Sequence, residues 1–197
     1  MGSVSGCHCR RRRDYGYAEK LLAAAHTSIE QGFRKREPYR PDLTQEDELL
    51  KQPRATFVTL KINGNLRGCI GTIQAVDPLL TSVADSAYKA AFQDPRFSPL
   101  TEEEYPQVDL SISVLTPPET MDFASEADLV EQLQPGIDGL IIESGRKRAT
   151  FLPEVWQSIP DAGDFLRQLK LKAGMTPGES PAKAWRYHTQ HFPAGSK

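Results

Sequence analysis

A cysteine flanked by glycines is the strongest chemical candidate in this sequence. Cys69 lies in the stretch LRGCIGTI, with Arg67 two residues before it. A thiolate is a nucleophile, and a neighbouring guanidinium can polarise it or bind an anionic group of a substrate. Gly68 and Gly71 would let a ligand approach the strand closely. We therefore predict a cleft with Cys69 and Arg67 as catalytic candidates, and with Gly68 and Gly71 on its substrate-binding side.

A structural role for this cysteine is the alternative, because cysteines are among the most buried residues and a glycine within a strand can mark a bulge. The surroundings decide between the two roles. A positive charge about 6 Å from a thiolate contributes roughly 3 kcal/mol at an effective dielectric constant near 20, but less than about 1 kcal/mol in open water. Only a cleft would therefore make this thiol reactive near neutral pH.

A carboxylate and a guanidinium form the second candidate group. Asp94 and Arg96 belong to the stretch DPRFSPLT at 94–101, just after a predicted helix. We predict that both contribute to substrate binding; alternatively, Asp94 binds loop amides and Arg96 pairs with an acid. Asp138 and Glu143 in the predicted strand DGLIIE are further carboxylate candidates, with a solvated strand edge as the alternative.

The histidines do not form a recognisable metal site. His26 lies at the edge of the apolar face of the first predicted helix, which favours a core histidine. His188 and His191 could share one helical face, but no third ligand accompanies them. The stretch CHC at 7–9 lies in a predicted tail. The sequence also lacks GxxxxGK[ST], GxGxxG, HExxH, CxxC and CxxxCxxC, so no metal and no cofactor is predicted.

Charge and composition limit the function classes. The chain of 197 residues carries a formal charge of −2, but four consecutive arginines precede residue 14. Without these four, 20 basic residues face 26 acidic ones, which makes nucleic-acid binding an improbable role for the body of the chain. No apolar run is long enough to span a bilayer, and three cysteines suit no disulfide framework. A cytoplasmic protein without membrane contact is predicted.

Residue periodicity predicts an α+β fold in which antiparallel hairpins are flanked by helices. Residues 1–13 are predicted to be a disordered basic tail, and residues 14–197 one domain. Predicted helices cover 17–33, 126–133, 162–173 and 182–191, and a further predicted helix opens at Pro78 and stops before Pro95. Predicted strands cover 55–62, 66–73, 108–115, 139–144 and 148–152.

The first hairpin, around Asn63, Gly64 and Asn65, has two possible registers. We favour a three-residue loop, because it separates apolar from polar side chains whereas a two-residue loop mixes them. One face then carries Val58, Leu60, Ile62, Leu66 and Ile70. The other carries Thr59, Lys61, Arg67 and Cys69, which places the thiol on a polar, basic surface.

Six stretches together resemble the AMMECR domain family, whose microbial members are called AmmeMemoRadiSam system protein A. They are LRGCIGTI, DPRFSPLT, SISVLTPPE at 111–119, GIDGLIIESG at 136–145, ATFLPEV at 149–155 and LKLKAG at 169–174. The resemblance covers about residues 17–192, and LRGCIG is its hallmark. It implies a two-lobed α+β fold, with a larger lobe from both chain ends and a smaller one from the middle. At position 138 the family carries either His or Asp.

The resemblance also implies partners, namely a Memo-type protein and a radical-SAM protein, but it implies no established activity. Two hypotheses follow. In the first, a cleft at Cys69 and Arg67 binds or modifies a small substrate or a partner's peptide. In the second, the chain is a non-catalytic adaptor that docks on those partners through the LRGCIG hairpin. Whether the protein is an enzyme stays open at this point.

Overall fold

The computed structural model describes the backbone of residues 7–193 and the side chains from residue 17 onward. This part of the chain contains helices and two four-stranded antiparallel sheets, which confirms the α+β class. The helices are α1 (Cys7–Lys35), α2 (Glu48–Lys51), α3 (Leu79–Phe92), α4 (Glu126–Gln132) and α5 (Ala162–Lys172). The strands are β1 (Thr56–Ile62), β2 (Asn65–Gly71), β3 (Val108–Leu115), β4 (Glu119–Met121), β5 (Gly139–Ser144), β6 (Lys147–Phe151), β7 (Lys183–Tyr187) and β8 (Thr189–Pro193).

The chain divides into two compact units. Unit 1 comprises the residues up to Val114 together with those from His191 onward, and unit 2 comprises Leu115–Gln190. Each unit has its own sheet and its own apolar core.

In unit 1 the sheet has the order β2-β1-β3-β8, so β2 is an edge strand. Helix α3 packs against β1 and β2, and α1 packs against α3. The predicted alternation in VDLSISVL is confirmed, because Leu110 and Ile112 are buried in the core beside Val58 and Leu60. The other face of β3 carries Asp109, Ser111 and Ser113, and Ser113 is also buried.

The β1–β2 hairpin combines the two registers considered above. Asn63 and Gly64 both have positive φ, 51° and 77°, and form a two-residue turn, so the predicted three-residue loop is wrong. The register then shifts between Leu60 and Lys61, which leaves Arg67 as the extra residue of a β-bulge. Beyond the bulge the pairing is the predicted one. Before it, Leu66 lies opposite Lys61 and is 40% exposed, so its prediction on the apolar face is also wrong.

In unit 2 the sheet has the order β4-β7-β5-β6 and packs with α4 and α5. The predicted helix over 182–191 is wrong, because this segment forms β7 and β8. Strand β7 lies between β4 and β5, where Ala184 and Tyr187 are buried. Pairing on both sides outweighs the weak helical spacing, and the aromatic residues Trp185 and Tyr187 suit a strand.

Several helix ends follow from local sequence. The side chain of Ser125 accepts a hydrogen bond from the N–H of Asp128 and caps α4, as predicted. Gly174, with φ of 76°, follows α5 as predicted. Helix α1 begins at Cys7, so the backbone of residues 7–13 is helical where a disordered tail was expected; arginine is a good helix former. Residues 1–6 of that expected tail lie outside the described residues. None of the helices described is long and apolar enough to cross a bilayer.

Candidate functional site

Cys69 lies on the edge strand β2, directly opposite Thr59 of β1. Its side chain is partly buried, and the Thr59 hydroxyl donates a hydrogen bond to Sγ at 3.3 Å. The register carries this row across the sheet to Ser111 of β3, which also lies opposite Thr59. The thiol is thus part of a row of small polar side chains on the sheet face away from the apolar core, as the predicted polar surface required.

The backbone of Cys69 is held by the two residues of the second candidate group. Its N–H donates to Asp94 Oδ2 at 2.9 Å, and its carbonyl accepts from Arg96 Nη2 at 3.1 Å. These groups of Cys69 face away from β1, where an edge strand would otherwise be open to another chain. The structure therefore brings together three of the predicted site residues, since Asp94 and Arg96 lie 25 and 27 positions after Cys69 in the sequence.

Asp94 is almost completely buried, with 2% of its side chain exposed. It accepts hydrogen bonds from the Arg96 side chain at 3.0 and 2.7 Å and from the Arg96 N–H at 3.1 Å. The Arg96 guanidinium above all, then the N–H groups of Cys69 and Arg96, hold the pKa of Asp94 well below its usual range, although burial acts in the opposite direction. Asp94 is a fixed carboxylate and does not exchange protons near neutral pH.

Arg96 keeps donor capacity. Its Nε and Nη2 bind Asp94 and Cys69, whereas Nη1 makes no hydrogen bond to any residue that the structure describes. The side chain is 53% exposed, and its guanidinium lies 5.4 Å from the ring centroid of Phe97. A guanidinium anchored on one edge and open on another is suited to bind a carboxylate or phosphate.

Arg67 was expected to polarise the thiol of Cys69, but its guanidinium contacts other residues. Its guanidinium makes two hydrogen bonds to Glu104, at 3.0 and 2.8 Å, and reaches the carbonyls of Ser98 at 3.0 Å and Pro99 at 3.4 Å. Only 13% of the side chain is exposed. Because the bulge directs Arg67 toward this loop, the cation bound to the cysteine residue itself is Arg96.

The two glycines have packing reasons that do not need a ligand. A Cβ on Gly68 would lie 2.1 Å from the carbonyl oxygen of Ala90 in α3, and one on Gly71 would lie 2.1 Å from the carbonyl oxygen of Thr56. Gly71 also borders a cavity of about 300 Å³ at the end of β2, whose wall includes Ser82 and Lys89. Gly68 is therefore required for helix packing, whereas Gly71 both packs closely and adjoins open space.

Unit 2 contains a hydrogen-bonded pair of side chains that sequence reasoning did not foresee. Asp138 Oδ1 lies 3.0 Å from His188 Nε2, so two candidates considered separately are joined. They are 50 positions apart, and His188 was placed on a helix, so no local signal connected them. Glu143, the other carboxylate candidate of this strand, pairs with Arg148 at 3.6 Å and Lys183 at 3.8 Å on neighbouring strands, as a sheet-surface residue does.

The remaining histidines have local partners. His26 Nδ1 lies 2.7 Å from the hydroxyl of Tyr105, and His191 Nδ1 lies 3.4 Å from the hydroxyl of Ser113. Within the described residues, no three His, Cys, Asp or Glu side chains lie together as metal ligands. The CHC stretch at 7–9 lies where side chains are outside the described residues.

Comparison with known proteins assigns the chain to one family. The AMMECR1 family model matches residues 22–192. A protein of Methanothermobacter thermautotrophicus is 38% identical over 189 residues, covering 91% of this chain and 94% of its own. A Thermotoga maritima protein is 34% identical, with 83% and 91% covered. The crystal structure of an uncharacterised protein from Pyrococcus horikoshii matches with a TM-score of 0.79 and 30% identity, covering 89% of this chain and 90% of that one. The chain therefore belongs to the AMMECR1 family.

Proposed function

We propose that the surface formed by Cys69, Thr59 and Arg96 binds an acidic group of a small substrate or of a partner's peptide, and that Cys69 contacts or modifies the bound molecule. The observation that carries this proposal is the position of Arg96. Its Nη2 is fixed on the carbonyl of Cys69 while its half-exposed guanidinium keeps Nη1 open among the described residues. A cation is thereby held at the backbone of the cysteine residue.

The supporting hydrogen bonds explain why this cation is well placed. Asp94 occupies only the Nε–Nη2 edge of the guanidinium and itself accepts the N–H of Cys69. Because the contacts with Asp94 and Cys69 already hold the Arg96 side chain, Arg96 loses little side-chain entropy when an acidic group binds. This favours the affinity for that group.

The partners belong to the same proposal. A Memo-type protein or a radical-SAM protein, the two partners implied by the family resemblance, would supply the peptide that carries the acidic group. A cytoplasmic setting would keep the thiol of Cys69 reduced and available.

A non-catalytic adaptor is the second candidate, and one observation favours it. The hydrogen bond to the sulfur comes from the Thr59 hydroxyl, and no basic side chain of the described residues hydrogen-bonds to it. Nucleophilic cysteines are normally activated by an adjacent base or by a strongly electropositive site. In this case the hairpin would bind the partner without chemistry at the sulfur.

Alkylation with a matched pair of reagents separates these functions. Iodoacetate carries a carboxylate and iodoacetamide does not, so a site for acidic groups should raise the iodoacetate to iodoacetamide rate ratio at Cys69. Peptide mapping is needed because Cys7 and Cys9 are also thiols. We expect Arg96→Gln to lower the ratio by about tenfold, which corresponds to roughly 1.4 kcal/mol, and Arg40→Gln, an exposed arginine paired with Asp85, to leave it unchanged.

An unchanged ratio in Arg96→Gln would rule out Arg96 as the anion site. Iodoacetamide labelling at graded pH addresses the chemistry separately. If Cys69 labels slowly and with the pH profile of an ordinary thiol, modification is excluded and the adaptor is favoured. Pull-downs of a Memo-type or radical-SAM protein with Cys69→Ser and Arg96→Gln would then locate the contact, since an adaptor tolerates loss of the thiol.

A further inference from the structure

A second group of chemically competent residues lies in unit 2. The carboxylate of Asp138, with none of its side chain exposed, lies 3.0 Å from Nε2 of His188, whose side chain is 50% exposed. A fully buried acid behind an accessible imidazole is the arrangement in which a carboxylate orients a histidine for proton transfer.

Asp138 makes hydrogen bonds through its side chain and through both of its backbone groups. Its Oδ2 accepts the N–H of Gln134 at 2.9 Å, and its own N–H donates to the Gln134 carbonyl at 3.1 Å. Its carbonyl accepts from the indole N–H of Trp156 at 2.7 Å. Because Oδ2 alone satisfies the turn at Gln134, that turn does not account for the second oxygen, Oδ1, and its contact with His188.

His188 is held at both ends. Its backbone N–H donates to the Thr116 hydroxyl at 2.9 Å, and its carbonyl accepts the N–H of Thr116 at 2.9 Å. Its ring is held through Nε2 by Asp138. In the neutral ring, an Nε2–H that donates to the carboxylate leaves the lone pair on Nδ1. Nδ1 makes no hydrogen bond to the part of the chain that the structure describes.

A metal site does not explain the pair. Zinc and similar ions need three or four protein ligands, and no group of three such side chains exists among residues 17–193. A surface contact of purely structural use would not require a carboxylate that is completely withdrawn from solvent, since surface pairs contribute little to stability.

We infer that His188 is the proton acceptor of a functional site in unit 2, with Asp138 as its positioning residue, and that the molecule bound there presents a hydroxyl or thiol to Nδ1. In this step the X–H bond breaks, its electron pair remains on the oxygen or sulfur, and the proton moves to Nδ1. The resulting imidazolium donates to Asp138, whose negative charge stabilises it.

The tautomer of His188 gives the first test, by long-range ¹H–¹⁵N NMR of the whole chain. The wild-type ring should carry its proton on Nε2. In Asp138→Asn the amide oxygen must still accept the buried N–H of Gln134, so the NH₂ group faces His188 and forces the proton to Nδ1. Glu143→Gln, a carboxylate change within β5, should leave the tautomer unchanged.

Reaction with diethyl pyrocarbonate, followed by peptide mapping, gives the second test, since this reagent modifies an unprotonated, accessible imidazole nitrogen. In the wild type we expect His188 to react several-fold faster than His191, the neighbouring exposed histidine, which serves as an internal control. Asp138→Asn should slow His188 by at least about tenfold, because neither nitrogen then offers a free lone pair, and should leave His191 unaffected.

Two results would overturn the inference, and both can be read from the wild type even if a variant fails to fold. One is a wild-type His188 that carries its proton on Nδ1. The other is a wild-type His188 that reacts no faster than His191. A tautomer that stays on Nε2 in folded Asp138→Asn would equally remove the positioning role from Asp138. None of these results depends on the surface at Cys69.

Discussion

Asp94 binds the backbone N–H of Cys69 at 2.9 Å, so a side chain of one loop closes the open edge of strand β2 at the position of the thiol. Arg96 completes this closure at the carbonyl of the same residue. The two residues act as a short substitute for a neighbouring strand. Because they fix the backbone of Cys69, they also fix where the sulfur lies.

Replacing Asp94 by Asn should destabilise unit 1. The variant leaves the guanidinium of Arg96 without its counter-charge and puts an amide N–H near the N–H groups of Cys69 and Arg96. Breaking a buried ion pair costs about 3–5 kcal/mol, and the half-exposed Arg96 is partly solvated, so we expect about 2–3 kcal/mol. Urea unfolding measures this loss. Arg96→Gln should lower the free energy of unfolding by less than Asp94→Asn does. An equal or larger loss would contradict the view that the buried carboxylate is the main source of this stabilisation.

The stability that Asp94 provides should depend on pH. Its pKa in the folded protein lies below the ordinary value of about 3.9, because Arg96 stabilises the carboxylate. The unfolded chain therefore takes up a proton at higher pH than the folded one, and the stabilisation is complete above about pH 5 and falls as pH decreases further. The difference in unfolding free energy between wild type and Asp94→Asn should be constant from about pH 5 to 8 and shrink below about pH 4. If this difference instead grows as the pH falls, the pKa of Asp94 is not lowered by folding and the prediction is wrong.

Arg67 should matter for stability through its geometry as well as its charge. Its paired hydrogen bonds to Glu104 and its contacts with the carbonyls of Ser98 and Pro99 join the bulge to the loop. Arg67→Ala should cost about 1–3 kcal/mol, and Arg67→Lys should recover little, because an ammonium cannot make the paired contact. Arg40→Ala is the control, with an expected cost below about 1 kcal/mol. Full rescue by lysine would show that charge alone suffices.

Gly68 should not tolerate a side chain. A Cβ there would lie 2.1 Å from the Ala90 carbonyl oxygen, so β2 and α3 would have to separate. We expect Gly68→Ala to cost about 1–3 kcal/mol in thermal or urea unfolding, in the range of overpacked cores. Gly178→Ala is the matched control, because a Cβ at Gly178 meets nothing within 4 Å. A neutral Gly68→Ala would favour the earlier view that this glycine serves a ligand.

Local sequence determined the hairpin, the alternating strand β3, the α4 cap and the polar face of Cys69, because each depends on spacing within about ten residues. The six motifs and their order along the chain were sufficient to identify the family. The tertiary structure alone decided which arginine binds the cysteine residue, since a one-residue bulge turned Arg67 toward Glu104 and left Arg96 at Cys69. It also turned the predicted last helix into two strands and joined Asp138 to His188. Sheet pairing and side-chain contacts between distant segments leave no periodic trace in a single sequence, so this part of the candidate chemistry became visible only in the folded chain.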